Sequence, residues 1–301
     1  MPRLRKILFP TDFSDSAEAA FNHAVSLATR FDAKLILFHA VLMYEEGLHL
    51  PEDAFPEMDK LYDALQERAE ASLAEIGEKA GNLRIERVVA RGLSASEEIL
   101  GYAQENHVDL IVMGTHGRRG LAHLVLGSVT DHVIRHGSVP VLTARAGSRP
   151  VDPSQGYKKI VVPTDLSEPS EIAGKWAVKL AEKYGAELHF VHVVEDDIHP
   201  AYFVTGKTSI FELIPDVLER SQEALARFAK RVRAGSLPHK IQVLEGEAHV
   251  EVSRYAEAEK ADLIVAGTRG LKGIEHILLG STTERIIRRA PCAVLVTKKT
   301  E

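Results

Sequence analysis

Short apolar runs and amphipathic stretches alternate along the chain with a regularity that predicts strands separated by helices. KILFP at 6–10 is a short apolar strand, and SAEAAFNHAVSLATRF at 16–31 is a helix with Ala20, Ala24, Leu27 and Ala28 on one face. Strands follow at 34–41, 84–90, 109–114 and 139–144, and helices at 63–80, 96–107 and 125–137. Strands that read as continuous apolar runs imply a parallel sheet covered on both faces. Right-handed crossovers then give an α/β fold: a doubly wound, open, five-stranded Rossmann-like sheet of order 3-2-1-4-5. Its ligand crevice lies at the carboxyl ends of the strands.

The pattern occurs twice. A shift of 153 residues lays KILFPTDFS at 6–14 on KIVVPTDLS at 159–167, and FHAV at 38–41 on VHVV at 191–194. Residues 6–41 and 159–194 share 16 identities in 36 positions, where average residue usage gives roughly two by chance. The register slips by one residue only around ARG at 90–92 and LEG at 244–246. A period this long is no solenoid unit. The chain reads as two whole domains, residues 1–148 and 154–301, joined by the Gly-, Pro- and Ser-bearing stretch AGSRPVDPSQGYK at 146–158.

Composition narrows the setting. At 301 residues there is room for two ordinary domains, and 45% hydrophobic with 27% charged residues is globular usage. A net charge of −6 gives nucleic acid no electrostatic case. The single cysteine, Cys292, cannot make an internal disulfide and favours a reducing compartment. No run reaches the length of a membrane span, and MPRLRKILFPTDFS holds no signal-peptide core. The expected location is the cytoplasm.

Candidate chemistry sits in two recurring motifs. Residues 114–128 (GTHGRRGLAHLVLGS) and 267–281 (GTRGLKGIEHILLGS) both fit G-x2-G-x9-G-S. Gly114, Gly117, Gly127 and Ser128 correspond to Gly267, Gly270, Gly280 and Ser281. Glycines after a strand and before a helix make an anion cradle of backbone amides; tight-turn use is the alternative reading for Gly114 and Gly117. The helix starts at Ser128, Val129 and Thr130, and at Ser281, Thr282 and Thr283, where hydroxyls and free amides can meet phosphate. Upstream stands PTD: Pro10, Thr11 and Asp12, then Pro163, Thr164 and Asp165, each aspartate 102 residues before its glycine loop. In the order 3-2-1-4-5 both reach one crevice, so the aspartates are read as ligand contacts, with helix N-capping as the alternative. The loop cations differ: His116, Arg118 and Arg119 become Arg269, Leu271 and Lys272. They are read as triphosphate contacts or as solvated surface charges. His39 and His192, at equivalent strand positions, read as satisfied core groups rather than ligands. His123 and His276 also repeat.

These motifs give the chain, over nearly all its length, a resemblance to the universal stress proteins in their tandem two-domain form, ATP-binding branch. The resemblance implies ATP as ligand, with Mg2+ accompanying it. It places Asp12 and Asp165 near the ribose, and the backbones of Ala40 and Val193 at the adenine edge. The glycine motifs would hold ribose and phosphates. It also implies that the apolar fifth strands, VPVLTA and CAVLVT, pair the domains as an internal pseudo-dimer. Pairing of tandem chains into a homodimer, and the protein partner, are left open.

An enzyme is disfavoured. There is no Walker A loop, no G-x-G-x-x-G after the first strand, and no nucleophile–base pair of diagnostic spacing. The expected role is a nucleotide-modulated stress or signalling module with weak hydrolysis at most. The alternatives are a slow ATPase or nucleotide-transfer enzyme, and a non-catalytic scaffold. Segments 43–60 and 195–215 read as long loops near the crevice.

Overall fold

The computed structural model describes residues 4–43, 58–115, 126–196, 208–268 and 279–298. The chain divides into two compact units, Met1–Gly147 with Asp152–Ser154, and Ser148–Val151 with Gln155–Glu301.

The first unit runs β1 (Lys6–Pro10), α1 (Asp15–Phe31), β2 (Lys34–Leu42), α2 (Met58–Lys79) and β3 (Ile85–Gly92). It continues through α3 (Ala95–Glu105), β4 (Leu110–Gly114), α4 (Ser128–His136) and β5 (Val141–Ala144). Its strands lie in the order β3-β2-β1-β4-β5, all parallel. The second unit repeats this as β6 (Lys159–Pro163), α5 (Glu168–Tyr184), β7 (Glu187–Val194), α6 (Ile210–Leu213), α7 (Val217–Arg231) and β8 (His239–Glu245). It then adds α8 (Ala248–Ala258), β9 (Leu263–Gly267), α9 (Ser281–Arg289) and β10 (Ala293–Thr297). Here the order is β8-β7-β6-β9-β10, again parallel. This is the doubly wound fold that the apolar runs imply.

The central strands are buried almost throughout: Ile7, Leu8 and Phe9 in β1, Ile111 and Val112 in β4, and Ile160, Val161 and Ile264 in the second unit. Each large side chain so buried contributes about 1.5–3 kcal/mol. α1 reaches the sheet through Ala17, Ala20, Ala24, Leu27 and Ala28, and the ring of Phe21 lies 5.4 Å from that of Phe9. β3 and β8 are less covered and carry exposed charges at Arg87 and Lys240, as suits outer strands. Among the described residues no helix is long and apolar enough to cross a membrane.

At the amino end of the sheet, the aspartate that opens DLIV in each half has a structural task. Asp109 Oδ2 accepts the amides of Arg5 and Lys6 at 2.7 and 2.9 Å, and Asp262 Oδ2 those of Lys158 and Lys159 at 2.8 and 2.9 Å. Two charge-assisted bonds thus start the first strand of each unit beside the fourth.

Two stretches read as loops hold helix. Residues 58–60 already belong to α2, and Ile210–Leu213 forms α6. The sequence signal for α6 is Ser209 followed by Glu212: Ser209 Oγ accepts from Phe211 N at 3.2 Å, and Glu212 Oε2 from Thr208 N at 3.0 Å. This is a capping box shifted by one donor.

The closing residue of the first helix differs between the units. Asp32 holds the left-handed conformation at φ 52, where Gly185 stands in the second unit at φ 70. A side chain there costs about 1 kcal/mol, while the exposed Arg84–Asp32 pair returns a fraction of that. Asp32→Gly is therefore expected to stabilise the first unit by about 0.5–1 kcal/mol in denaturant titration. His23 in α1 is 1% exposed, and burial pushes its imidazole down to about 4. The folded state binds that proton less readily than the unfolded chain, so stability falls as pH drops from 6.5 towards 4. Relative to a His23→Leu variant the wild type should lose about 3 kcal/mol across this window, measured as the difference between their unfolding free energies at pH 7 and pH 4.

Candidate functional site

In each unit the strand order reverses about its first strand: β1 has β2 on one side and β4 on the other. The carboxyl ends of β1, β2 and β4 therefore surround the crevice where such sheets bind ligands.

The PTD turn is locked from several directions. Thr11 N continues the ladder by donating to Phe38 O at 2.9 Å, and Thr11 Oγ1 accepts from Phe13 N at 3.0 Å. Asp12 Oδ1 accepts from the amide and hydroxyl of Ser14 at 3.1 and 2.6 Å. Ser14, not Asp12, is the N-cap of α1, its Oγ accepting from Ala17 N at 3.3 Å. The second unit matches: Ser167 is the N-cap of α5, and Asp165 Oδ1 accepts from Ser167 N and Oγ at 3.1 and 2.5 Å. It also accepts from Ser170 Oγ at 2.6 Å. Neither aspartate is the N-cap itself; each half-buried carboxylate props the capping serine through one oxygen. Between Asp and Ser, Phe13 and Leu166 adopt φ 64 and 67. This conformation costs about 1 kcal/mol for a side-chain-bearing residue, and the surrounding bonds over-determine it.

Past Pro10 the first two strands part. The ladder pairs Pro10 with Phe38, yet β2 runs on to Leu42 against β3 alone. Even-numbered residues of β2 face β1, as the bonds Lys34 N to Arg5 O and Thr11 N to Phe38 O show, so the Ala40 amide and carbonyl face the crevice. By the same alternation Val193 faces it in the second unit, beyond the last β6–β7 pair, Pro163 with Val191. The imidazoles of His39 and His192 close this gap: Nδ1 lies 2.7 Å from Thr11 O and 2.8 Å from Thr164 O. A carbonyl only accepts, so Nδ1 carries the proton. These histidines are satisfied, as expected, but half-buried rather than in the core as their setting in an apolar run suggests. The signal was the same histidine 28 residues beyond the same threonine in both halves.

The glycine at the end of the fourth strand serves packing. A Cβ on Gly114 would lie 2.7–2.9 Å from the backbone of Ser16 and Ala17, and one on Gly267 would lie 2.9–3.0 Å from the Pro169 carbonyl group. Neither has positive φ, so it is the close passage of the helix, not a left-handed conformation, that calls for glycine here. Thr130 and Thr283 are buried and donate their hydroxyls to Gly114 O and Gly267 O at 2.7 and 2.8 Å. They clasp helix to strand, so the proton expected to meet phosphate goes to the chain itself. Gly127 N reaches Thr115 O at 2.8 Å, and Gly280 N reaches Thr268 O at 2.7 Å. Gly127 and Gly280 occupy the N-cap positions of α4 and α9 with no side chain to cap the helix. The first-turn amides at Ser128, Val129 and Thr130, and at Ser281, Thr282 and Thr283, therefore form a positive helix end beside the crevice. His116, Gly117, Arg118, Arg119, His123, Arg269, Gly270, Leu271, Lys272 and His276 lie outside the described residues.

Residues 3–145 and again 156–298 match the sequence profile of the Universal stress protein family. The chain belongs to the universal stress protein family. Universal stress protein MJ0531 of Methanocaldococcus jannaschii is 44% identical over 144 residues, covering 48% of this chain and 83% of the relative. MJ0577 of the same organism is 31% identical over 156 residues, covering 47% and 94%. A universal stress protein from Archaeoglobus fulgidus has the same fold at TM-score 0.68 and 21% identity, covering 98% of this chain and 99% of its own. This universal stress protein is thus a tandem of two family units.

Gly114→Ala is expected to lower stability by about 1–3 kcal/mol by pushing the first turn of α1 off the sheet. Thermal melts read this directly, and an unchanged melt would refute the packing account.

Proposed function

We propose that each domain, residues 1–148 and 154–301, binds one adenine nucleotide, ATP above all, and that nucleotide biases conformation or assembly with little or no catalysis. The observation that carries this reading is the overhang of β2 and β7. There a backbone amide and carbonyl face the crevice beyond the end of the neighbouring strand. A donor and an acceptor on one residue match the adenine edge, with N1 accepting and N6 donating. Guanine presents the reverse at the same positions and is rejected through unpaired polar groups. Asp12 and Asp165 would take ribose hydroxyls. The uncapped starts of α4 and α9, with Gly127, Ser128, Val129, Gly280, Ser281 and Thr282, would receive phosphate. Pro10, Thr11, Pro163 and Thr164 shape the turn, and Gly114 and Gly267 bring the helix to it.

Among the described residues no group of three or more His, Cys, Asp or Glu could hold a metal ion. Magnesium accompanying ATP would be carried mainly by the nucleotide's own phosphates and water, as it is wherever it keeps most of its hydration. Ligand binding alters the protein only through unequal affinity for two states, and ATP would act so on whatever partner the protein serves.

Isothermal titration of the full chain should give two ATP per chain, a clear preference over GTP, and no phosphate release above buffer. Asp12→Asn should weaken the first site about 10–100-fold, as expected for one charge-assisted hydrogen bond. No ATP binding at either site would overturn the reading, and steady phosphate release lost in Asp12→Asn and Asp165→Asn would favour a slow ATPase.

A further inference from the structure

The bond from Thr11 N to Phe38 O is the last of the β1–β2 ladder. In a regular parallel ladder the next would run from the Ala40 amide to the Thr11 carbonyl. Among the described residues that bond is not made: the Thr11 carbonyl takes the imidazole Nδ1 of His39, at 2.7 Å. The second unit does the same. Thr164 N donates to Val191 O, and the carbonyl due to receive the Val193 amide takes His192 Nδ1 at 2.8 Å. A side chain from the neighbouring residue thus occupies the acceptor that would otherwise sequester the crevice-facing amide. In the first unit the ring is also held in place by Phe13, centroids 4.7 Å apart at 33°.

We propose that His39 and His192 are positioning residues that stop the ladder one bond short, leaving the amides of Ala40 and Val193 for the base. The ligand half of this proposal rests on the adenine-nucleotide reading; the ladder half does not. Neither histidine needs to touch the ligand. Each fixes the acceptor left to its neighbour's amide, and with it the hydrogen-bond pattern offered to a purine. Phenylalanine keeps the ring and removes the donor, so the Thr11 carbonyl recaptures the Ala40 amide. Asparagine keeps a donor near the Nδ1 position.

Two measurements on the full chain test this. Without nucleotide, hydrogen exchange at the Ala40 and Val193 amides should slow about tenfold or more in His39→Phe and His192→Phe respectively, the protection given by one hydrogen bond. It should stay at the wild-type rate in the asparagine variants. Each single variant leaves the other unit as an internal reference for folding. With nucleotide, each Phe variant should lose about tenfold in ATP affinity at one site and most of that site's preference for ATP over GTP. Binding of inorganic tripolyphosphate should be unchanged, and the Asn variants should behave as wild type. Wild-type exchange rates together with an intact ATP preference in the Phe variants would overturn the proposal. A wild type that binds no nucleotide would overturn the ligand half and the preceding reading, with amide exchange still deciding the ladder half.

Discussion

The first turn of α1 rests on the bare backbone of Gly114, and the corresponding turn of α5 on Gly267. With no Cβ in the way, the helix comes down on the end of the fourth strand, and the PTD turn at its front is carried to the fork between the strands. The hydroxyl of Thr130 then ties α4 to the same glycine's carbonyl. Two helices and one strand end thereby share a single residue, and any movement of one shifts the others. Close packing transmits such shifts rather than absorbing them.

Around that contact the structure divides its hydrogen-bonding groups into two sets. The starts of α1 and α5 are closed, since Ser14 and Ser167 cap them and Asp12 and Asp165 brace the caps. Among the described residues the starts of α4 and α9 have no capping side chain, since glycine stands at the N-cap. An uncapped helix start leaves orphan amides that need water or a ligand. Within each crevice the two kinds of helix start thus differ: one is closed by side chains, and the other presents first-turn amides that suit an anion better than an acid. An acid beside the phosphates would oppose binding by charge, whereas the same acid at a ribose accepts hydrogen bonds.

The fold was largely legible in the amino-acid order, because continuous apolar strands and amphipathic helices leave few ways to bury both. KILFP and DLIVMG had to be central, and the 153-residue repeat doubled every inference. The site was legible as motifs but not as roles. Gly114 looked like a turn or a phosphate contact, and only the distance to Ser16 and Ala17 shows a packing constraint. Thr130 looked like a phosphate ligand, and its burial against a strand carbonyl is a long-range fact that no local pattern encodes. His39 is satisfied by a hydrogen bond, as expected, but is half-buried rather than in the core, and its setting misled for a related reason. An imidazole at the end of an apolar run resembles a core residue until the point where the neighbouring strand departs is known. Asp109 and Asp262 were passed over because their task, holding the start of the first strand from about a hundred residues away, leaves no mark on their surroundings in sequence.

The repeat shares its backbone more faithfully than its side chains, and the differences fall where they would tune a site. The ring of Phe13 lies tilted against that of His39, while the equivalent place in the second unit holds Leu166, an aliphatic group without a ring face. Asp165 Oδ1 receives the Ser170 hydroxyl in addition to both donors from Ser167, where the first unit has Ala17 in place of Ser170. A further donor on that oxygen draws the carboxylate towards its own helix and lowers its power as an acceptor for anything else. The first unit thus sets an aromatic ring beside its imidazole, and the second brings a serine hydroxyl to its carboxylate. Both differences lie in residues that frame the crevice, so the two units keep one backbone geometry while the side chains around it diverge.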